Sequence, residues 1–103
     1  MTRTIQQLFD LKGKTALVTG GSRGLGLQMA HALGEAGARI MLSSRKADEL
    51  EKAVADLEAA GIDARWTAAD CAVEADIHRL ADETLERMGD IDILVNNAGA
   101  TWG

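Results

Sequence analysis

Apolar residues in this chain fall alternately into short solid runs and into longer stretches where they recur every three or four positions. The runs at 14–19 (KTALVT), 38–44 (ARIMLSS), 64–69 (ARWTAA) and 92–98 (DILVNNA) predict strands, and the stretches at 26–36, 47–60 and 74–88 predict helices. Helical spacing places Leu25, Met29, Leu33 and Ala36 on one face, as it does Leu50, Val54 and Leu57, and then Ile77, Leu80, Thr84 and Met88. Gly37, Gly61 and Gly89 follow the helices where a left-handed cap belongs. Gly34 sits inside the first helix at a cost of about 1 kcal/mol relative to alanine. Close packing against a neighbour would explain it.

The resulting order, βαβαβαβ, predicts an α/β fold with a doubly wound parallel sheet and right-handed crossovers. Its first strand, apolar without alternation, belongs in the centre with both faces covered. The fourth is an apolar edge open to a further strand. No proline, repeat, linker or low-complexity tract divides the chain.

Between the first strand and the first helix, LVTGGSRGLGLQMA (17–30) carries glycines at Gly20, Gly24 and Gly26. A helix begins there with free backbone N–H groups and the positive end of its dipole, which together suit a phosphate. Gly20 permits a tight turn, Gly24 removes a Cβ that would block a pyrophosphate, and Gly26 lets the helix lie close on the sheet. A merely flexible connection is the plainer alternative. The place of the turn, after a strand and at the start of a helix in a βαβ unit, favours a nucleotide. No Gly-Lys-Ser/Thr follows, so this is not a P-loop.

Charge narrows the ligand. With 11 Lys+Arg against 16 Asp+Glu the net charge is −5, the basic residues are scattered and aromatics make up 3%, a pattern that argues against nucleic acid. An anion must therefore be held locally, by backbone N–H groups and a few arginines. At 103 residues there is room for one domain and little for a separate substrate site. Cys71 is the sole cysteine, which excludes an internal disulfide and suits a reducing compartment. No stretch approaches a secretion signal or a membrane span, so a cytoplasmic location is expected. His31 and His78 have no ligand spacing to a third group, and no metal site is expected.

TGGSRGLG (19–26) resembles the Thr-Gly-x-x-x-Gly-x-Gly signature of the short-chain dehydrogenase/reductase family. NNAG (96–99), after the fourth predicted strand, resembles that family's Asn-Asn-Ala-Gly motif, which supports the central sheet and borders the cofactor. AADC (68–71), after the third, resembles its adenine-contacting pair. The resemblance implies a Rossmann-type sheet, of which this chain is the N-terminal portion, and a dinucleotide. It assigns Gly20, Ser22, Arg23, Gly24, Leu25 and Gly26 in the turn to that cofactor, with Ser44 and Arg45 after the second strand. Asp70, Cys71, Asn96, Ala98 and Gly99 complete the set.

Folds of this kind that prefer NAD place a carboxylate at the end of the second strand, about 20 residues beyond the glycines, to accept the ribose 2′-hydroxyl. Here Ser44 stands in that place, Arg45 follows, and no acid is expected there. Arg23 and Arg45 can converge on a 2′-phosphate through forked, charge-assisted hydrogen bonds, with Ser22 and Ser44 as hydroxyl donors. Otherwise both arginines are ordinary solvated charges. The pattern predicts NADP(H) over NAD(H).

Asp70 would accept the adenine amino group while the Cys71 backbone donates to the ring, or Asp70 would simply hold a turn. The Cys71 thiol reads as a packing group and not a nucleophile. Glu83 and Arg87 are spaced for an i,i+4 pair, and Leu8, Phe9 and Leu11 are expected over one end of the sheet.

Chemistry in this family rests on a Tyr-x-x-x-Lys pair with a nearby serine, and this chain has no tyrosine. Residues 1–103 are therefore expected to be the NADP-binding portion of a longer reductase, inactive alone. The whole would interconvert a secondary alcohol and a ketone as a homo-oligomer. NNAGATWG and the lead-in look most like sugar-acid members such as gluconate 5-dehydrogenases, with 3-oxoacyl carrier-protein reductases next. A non-catalytic dinucleotide-binding module is the alternative.

Overall fold

A computed structural model describes residues 10–97, in which the elements follow the expected order. They are β1 (Thr15–Thr19), α1 (Gly24–Glu35), β2 (Arg39–Ser44), α2 (Ala47–Ala59), β3 (Ala64–Ala68), α3 (Glu74–Met88) and β4 (Ile93–Asn96). Boundaries differ from the expected ones by a residue or two. The strands form one parallel sheet in the order β3-β2-β1-β4. Val18 on β1 stands beside Leu42 on β2 and Val95 on β4. Flanked on both sides and covered on both faces, β1 is buried at every position, as its unbroken apolar run predicts.

The pleat divides the core into two layers. Ala16, Val18, Ile40 and Leu42 pack with Leu50, Val54 and Leu57 of α2 and Ala30 of α1. On the opposite face Leu17 and Met41 meet Leu80 and Met88 of α3. Helices thus cover both faces of a parallel sheet, which is the doubly wound Rossmann-type arrangement.

Two expected helix faces need correction. On α1 the residues buried against the sheet are Gly26 and Ala30, while Leu25 is 61% exposed and Met29 is also exposed. The helix starts at Gly24, inside the glycine turn, and its first turn passes so close to the Gly20–Gly21 backbone that only the smallest residues fit. Apolar spacing picked out the larger side chains instead. On α3, Leu80, Thr84 and Met88 are buried as expected, but Ile77 is exposed, outside the cluster around Met41. Buried Thr84 is tolerated because its hydroxyl donates to the Leu80 carbonyl at 2.7 Å.

The two sheet edges differ. Along β3, Arg87 donates to the Trp66 carbonyl and to Thr67 Oγ1, both at 3.0 Å, and Arg79 donates to the Ala68 carbonyl at 2.9 Å. These guanidinium groups occupy acceptors that an edge strand otherwise offers to another chain. The expected Glu83–Arg87 pair is therefore not formed: Glu83 pairs with Arg79 at 3.5 Å, because Arg87 is drawn to the sheet. At β4, by contrast, Leu94 is 63% exposed. Leu11 packs partly against the core, whereas Leu8 and Phe9 lie outside the described residues.

Candidate functional site

Adjacent parallel strands bring their C-terminal ends together, so the order β3-β2-β1 gathers the glycine turn, Ser44–Arg45 and Asp70–Cys71 at one end of the sheet. The turn is anchored by Gly20 and Gly21, whose N–H groups both donate to the Ser43 carbonyl, at 2.7 and 3.3 Å. Gly20 (φ 67°) and Gly24 (φ 60°) adopt the left-handed conformation that glycine favours. Gly21, which periodicity and motif did not single out, is buried, and a Cβ there would stand 2.7 Å from Leu42 Cδ2 and 3.1 Å from the Val18 carbonyl. A Cβ on Gly26 would collide with the Gly20 carbonyl, so Gly26 serves the turn itself rather than the sheet. Around Gly24 a Cβ would meet nothing within 4 Å. Space is left there.

Helix α1 begins at that space. Its N-cap Arg23 makes no side-chain cap, and its first turn carries no acid, whereas α2 has Asp48 and Glu49 and α3 has Glu74 and Asp76 in theirs. Nothing in its own first turn offsets the positive dipole end of α1. A group that brings its own negative charge fits there.

A cavity of about 430 Å³ opens beside the turn. Gly20, Ser22 and Arg23 line it from the turn, Ser44 from the end of β2 with Arg45 just after it, and Asp70 and Cys71 from beyond β3. Sequence reasoning therefore brought together residues far apart in the chain. Gly24, Leu25 and Gly26 form the helix start beside the cavity rather than its lining. Asn96 is not among the lining residues. Its Oδ1 accepts from Thr19 Oγ1 at 3.0 Å, and Asn97 Nδ2 donates to the Gly20 carbonyl at 3.4 Å, so the pair ties β4 to β1 and to the turn. Ala98 and Gly99 lie outside the described residues.

Asp70 plays the turn part weighed for it as well as lining the cavity. Its Oδ1 accepts from the Ala72 N–H at 2.9 Å, and its own N–H donates to Asp76 Oδ2 at 2.8 Å. Burial, then the carboxylates of Asp70 and Asp76, push the Cys71 thiol above its ordinary value. A group held as the neutral thiol is a poor nucleophile.

Lys46 and Glu49 also line the cavity, although the acidic patch ADELE (47–51) that holds Glu49 reads from the sequence as a solvated helix face. Glu49 corrects the expectation that no acid stands near the end of β2. Its Oε1 accepts from Ser22 Oγ at 3.2 Å and lies 3.8 Å from Arg23 Nε, and its Oε2 lies 3.5 Å from Lys46 Nζ. Only the Lys46–Glu49 i,i+3 spacing hinted at this, since the reach across to Ser22 depends on β1 and β2 being neighbours.

The sequence model described as short chain dehydrogenase matches residues 14–103. This chain belongs to the short-chain dehydrogenase family. It is 46% identical over 95 residues to the rhamnolipids biosynthesis 3-oxoacyl-[acyl-carrier-protein] reductase of Pseudomonas aeruginosa, which covers 92% of this chain and 37% of the relative. Gluconate 5-dehydrogenase of Gluconobacter oxydans is 46% identical over 94 residues, covering 89% and 36%. Among short-chain dehydrogenase structures, the Pseudomonas aeruginosa RhlG/NADP active-site complex matches with a TM-score of 0.84 at 46% identity, over 92% of this chain and 37% of that one. An actinorhodin polyketide ketoreductase with NADPH matches at a TM-score of 0.81 and 37% identity, over 84% and 33%. The chain thus spans well under half the length of these short-chain dehydrogenase relatives.

Proposed function

We propose that this chain is the cofactor-binding portion of an NADP(H)-dependent oxidoreductase that interconverts a secondary alcohol and a ketone, a sugar acid or a 3-oxoacyl thioester being the substrate classes its relatives suggest. The observation that carries the reading is that Arg23 and Arg45 line one cavity together with Ser22 and Ser44, beside an uncapped helix N-terminus. Two guanidinium groups and two hydroxyls suit a 2′-phosphate. The N–H groups of Gly24, Leu25 and Gly26 suit the pyrophosphate, and the open space at Gly24 admits it. Asp70 and the Cys71 backbone take the adenine, and Asn96, Ala98 and Gly99 are assigned to the border of the cofactor by the family motif alone. The cofactor, when bound, supplies or accepts the hydride.

These residues bind and orient. With no tyrosine in the chain, the proton-transfer group of the reaction comes from elsewhere in a longer protein, and this portion alone is inactive. The reading includes a homo-oligomeric whole. It also includes a cytoplasmic location, supported by the lone cysteine; no described helix is long and apolar enough to cross a membrane.

Titrating the chain with NADPH and NADH, followed by energy transfer from tryptophan, tests the cofactor assignment. NADPH should bind about tenfold tighter or more, and Arg45→Asp should reverse the order; equal affinities unchanged by Arg45→Asp would refute it. A non-catalytic dinucleotide-binding module is the second reading, on the observation that no tyrosine is present. A Tyr-x-x-x-Lys pair encoded after Gly103 decides against the module.

A further inference from the structure

Glu49 has no part in the reading above, yet it lines the same cavity. A glutamate at the third position of a helix, as Glu49 is in α2, can bond back to the N–H of its N-cap. Here that N–H, of Lys46, donates to Ser44 Oγ at 3.3 Å, and Glu49 turns across to the glycine turn instead. Its side chain is 26% exposed, while its cationic partners Arg23 and Lys46 are 80% and 60% exposed. A resident carboxylate therefore already holds Ser22 and Arg23, two of the groups assigned to the 2′-phosphate.

We propose that Glu49 sets how strongly the site discriminates between the two nicotinamide cofactors, as the acceptor for a ribose 2′-hydroxyl and the competitor of a 2′-phosphate. The inference rests on the NADP(H) reading and deepens it. A 2′-phosphate entering the cluster takes Ser22 and Arg23 from Glu49 and then faces it as a like charge. The contacts given up are one part-buried hydroxyl bond of 3.2 Å and one ion pair of 3.8 Å on an exposed arginine, both weak, so the phosphate still wins, with reduced affinity. With NADH the balance reverses. Ser44 stands where a strand-end acid would accept the 2′-hydroxyl, and Glu49 supplies that acceptor from α2. One carboxylate thus weakens NADPH and strengthens NADH, moving the site toward use of both.

Glu49→Gln keeps the size and removes the charge. Binding of NADPH, NADH, 2′,5′-ADP and 5′-AMP should be measured for the unaltered chain, Glu49→Gln and Arg45→Asp, with thermal melts confirming that each variant is folded. In Glu49→Gln, NADPH and 2′,5′-ADP should bind about three- to tenfold tighter, and NADH and 5′-AMP weaker by a similar factor. Glu49→Asp, charged but shorter, should move the ratio less. An equal shift for both cofactors, or none, overturns the inference. If Arg45→Asp leaves the NADPH/NADH ratio unchanged, the NADP(H) reading itself has failed; a ratio that answers to Arg45 but not to Glu49 sinks only the role of Glu49.

Discussion

Gly34 of α1 packs so closely on Ile62 that a Cβ built on it would stand 2.5 Å from Ile62 Cγ2 and 2.7 Å from Cδ1. Ile62 is buried in the main core cluster, and its Cγ2 is fixed on a branched Cβ that leaves the side chain stiff. Gly34→Ala therefore sets a helix-propensity gain of about 1 kcal/mol against overpacking of about 1–3 kcal/mol. Overpacking should win, lowering stability by about 1 kcal/mol in urea denaturation. The double variant with Ile62→Ala should lose clearly less than the sum of the single losses, since the collision is then gone; strict additivity would contradict the packing account.

Gly24 and Gly26 separate folding from binding. Gly26→Ala drives a methyl into the Gly20 carbonyl, backbone against backbone, and should cost about 2 kcal/mol or more. Gly24→Ala meets no neighbour and should cost about 1–2 kcal/mol for its left-handed backbone alone. Yet its methyl enters the space assigned to the pyrophosphate, so NADPH affinity should fall about tenfold while the fold survives. An undiminished affinity in Gly24→Ala would place the pyrophosphate elsewhere.

Arg87→Ala uncovers the edge of β3 by removing both hydrogen bonds to Trp66 and Thr67. A loss of about 1 kcal/mol is expected, together with more self-association, which sedimentation at rising concentration would detect. Arg87→Lys, which keeps the charge but lacks the planar guanidinium and its fixed donor directions, should restore only part of the effect.

Cys71 titrates late. Because the folded chain holds the thiol proton more tightly than the unfolded chain, the stability linked to it is intact below the unfolded thiol's pKa. It is lost as pH rises through the higher folded value. Iodoacetamide alkylation should reach half its limiting rate at a higher pH in the folded chain than in urea. Above about pH 8.5 the stability of the unaltered chain should also fall relative to Cys71→Ser. Coincident alkylation profiles would contradict the raised thiol.

Periodicity and turn chemistry were enough to place every described strand and helix, because burial on both faces and glycine at helix ends leave their mark locally. The unbroken run in β1, the caps at Gly37, Gly61 and Gly89, and the sheet-end grouping of Arg23, Arg45 and Asp70 were all legible from the residues and their order. The inner face of α1 was not. Which stripe of a helix meets the sheet depends on how closely it approaches, and here Gly26 lies on the Gly20 backbone and Ala30 in the core cluster, while Leu25 and Met29 face outward. Likewise Arg87 left the Glu83 to which its spacing suited it, drawn by β3 carbonyls from another part of the chain.

The sequence by itself determined the alternating elements, the phosphate-suited turn and the placing of Ser44, not an acid, at the last residue of β2, since each depends on neighbours in the chain. Only the tertiary structure decided that Gly21 packs against Leu42 and the Val18 carbonyl and that Glu49 sits against Ser22 and Arg23. Those contacts join residues of separate elements, and they exist because β1 and β2 lie side by side.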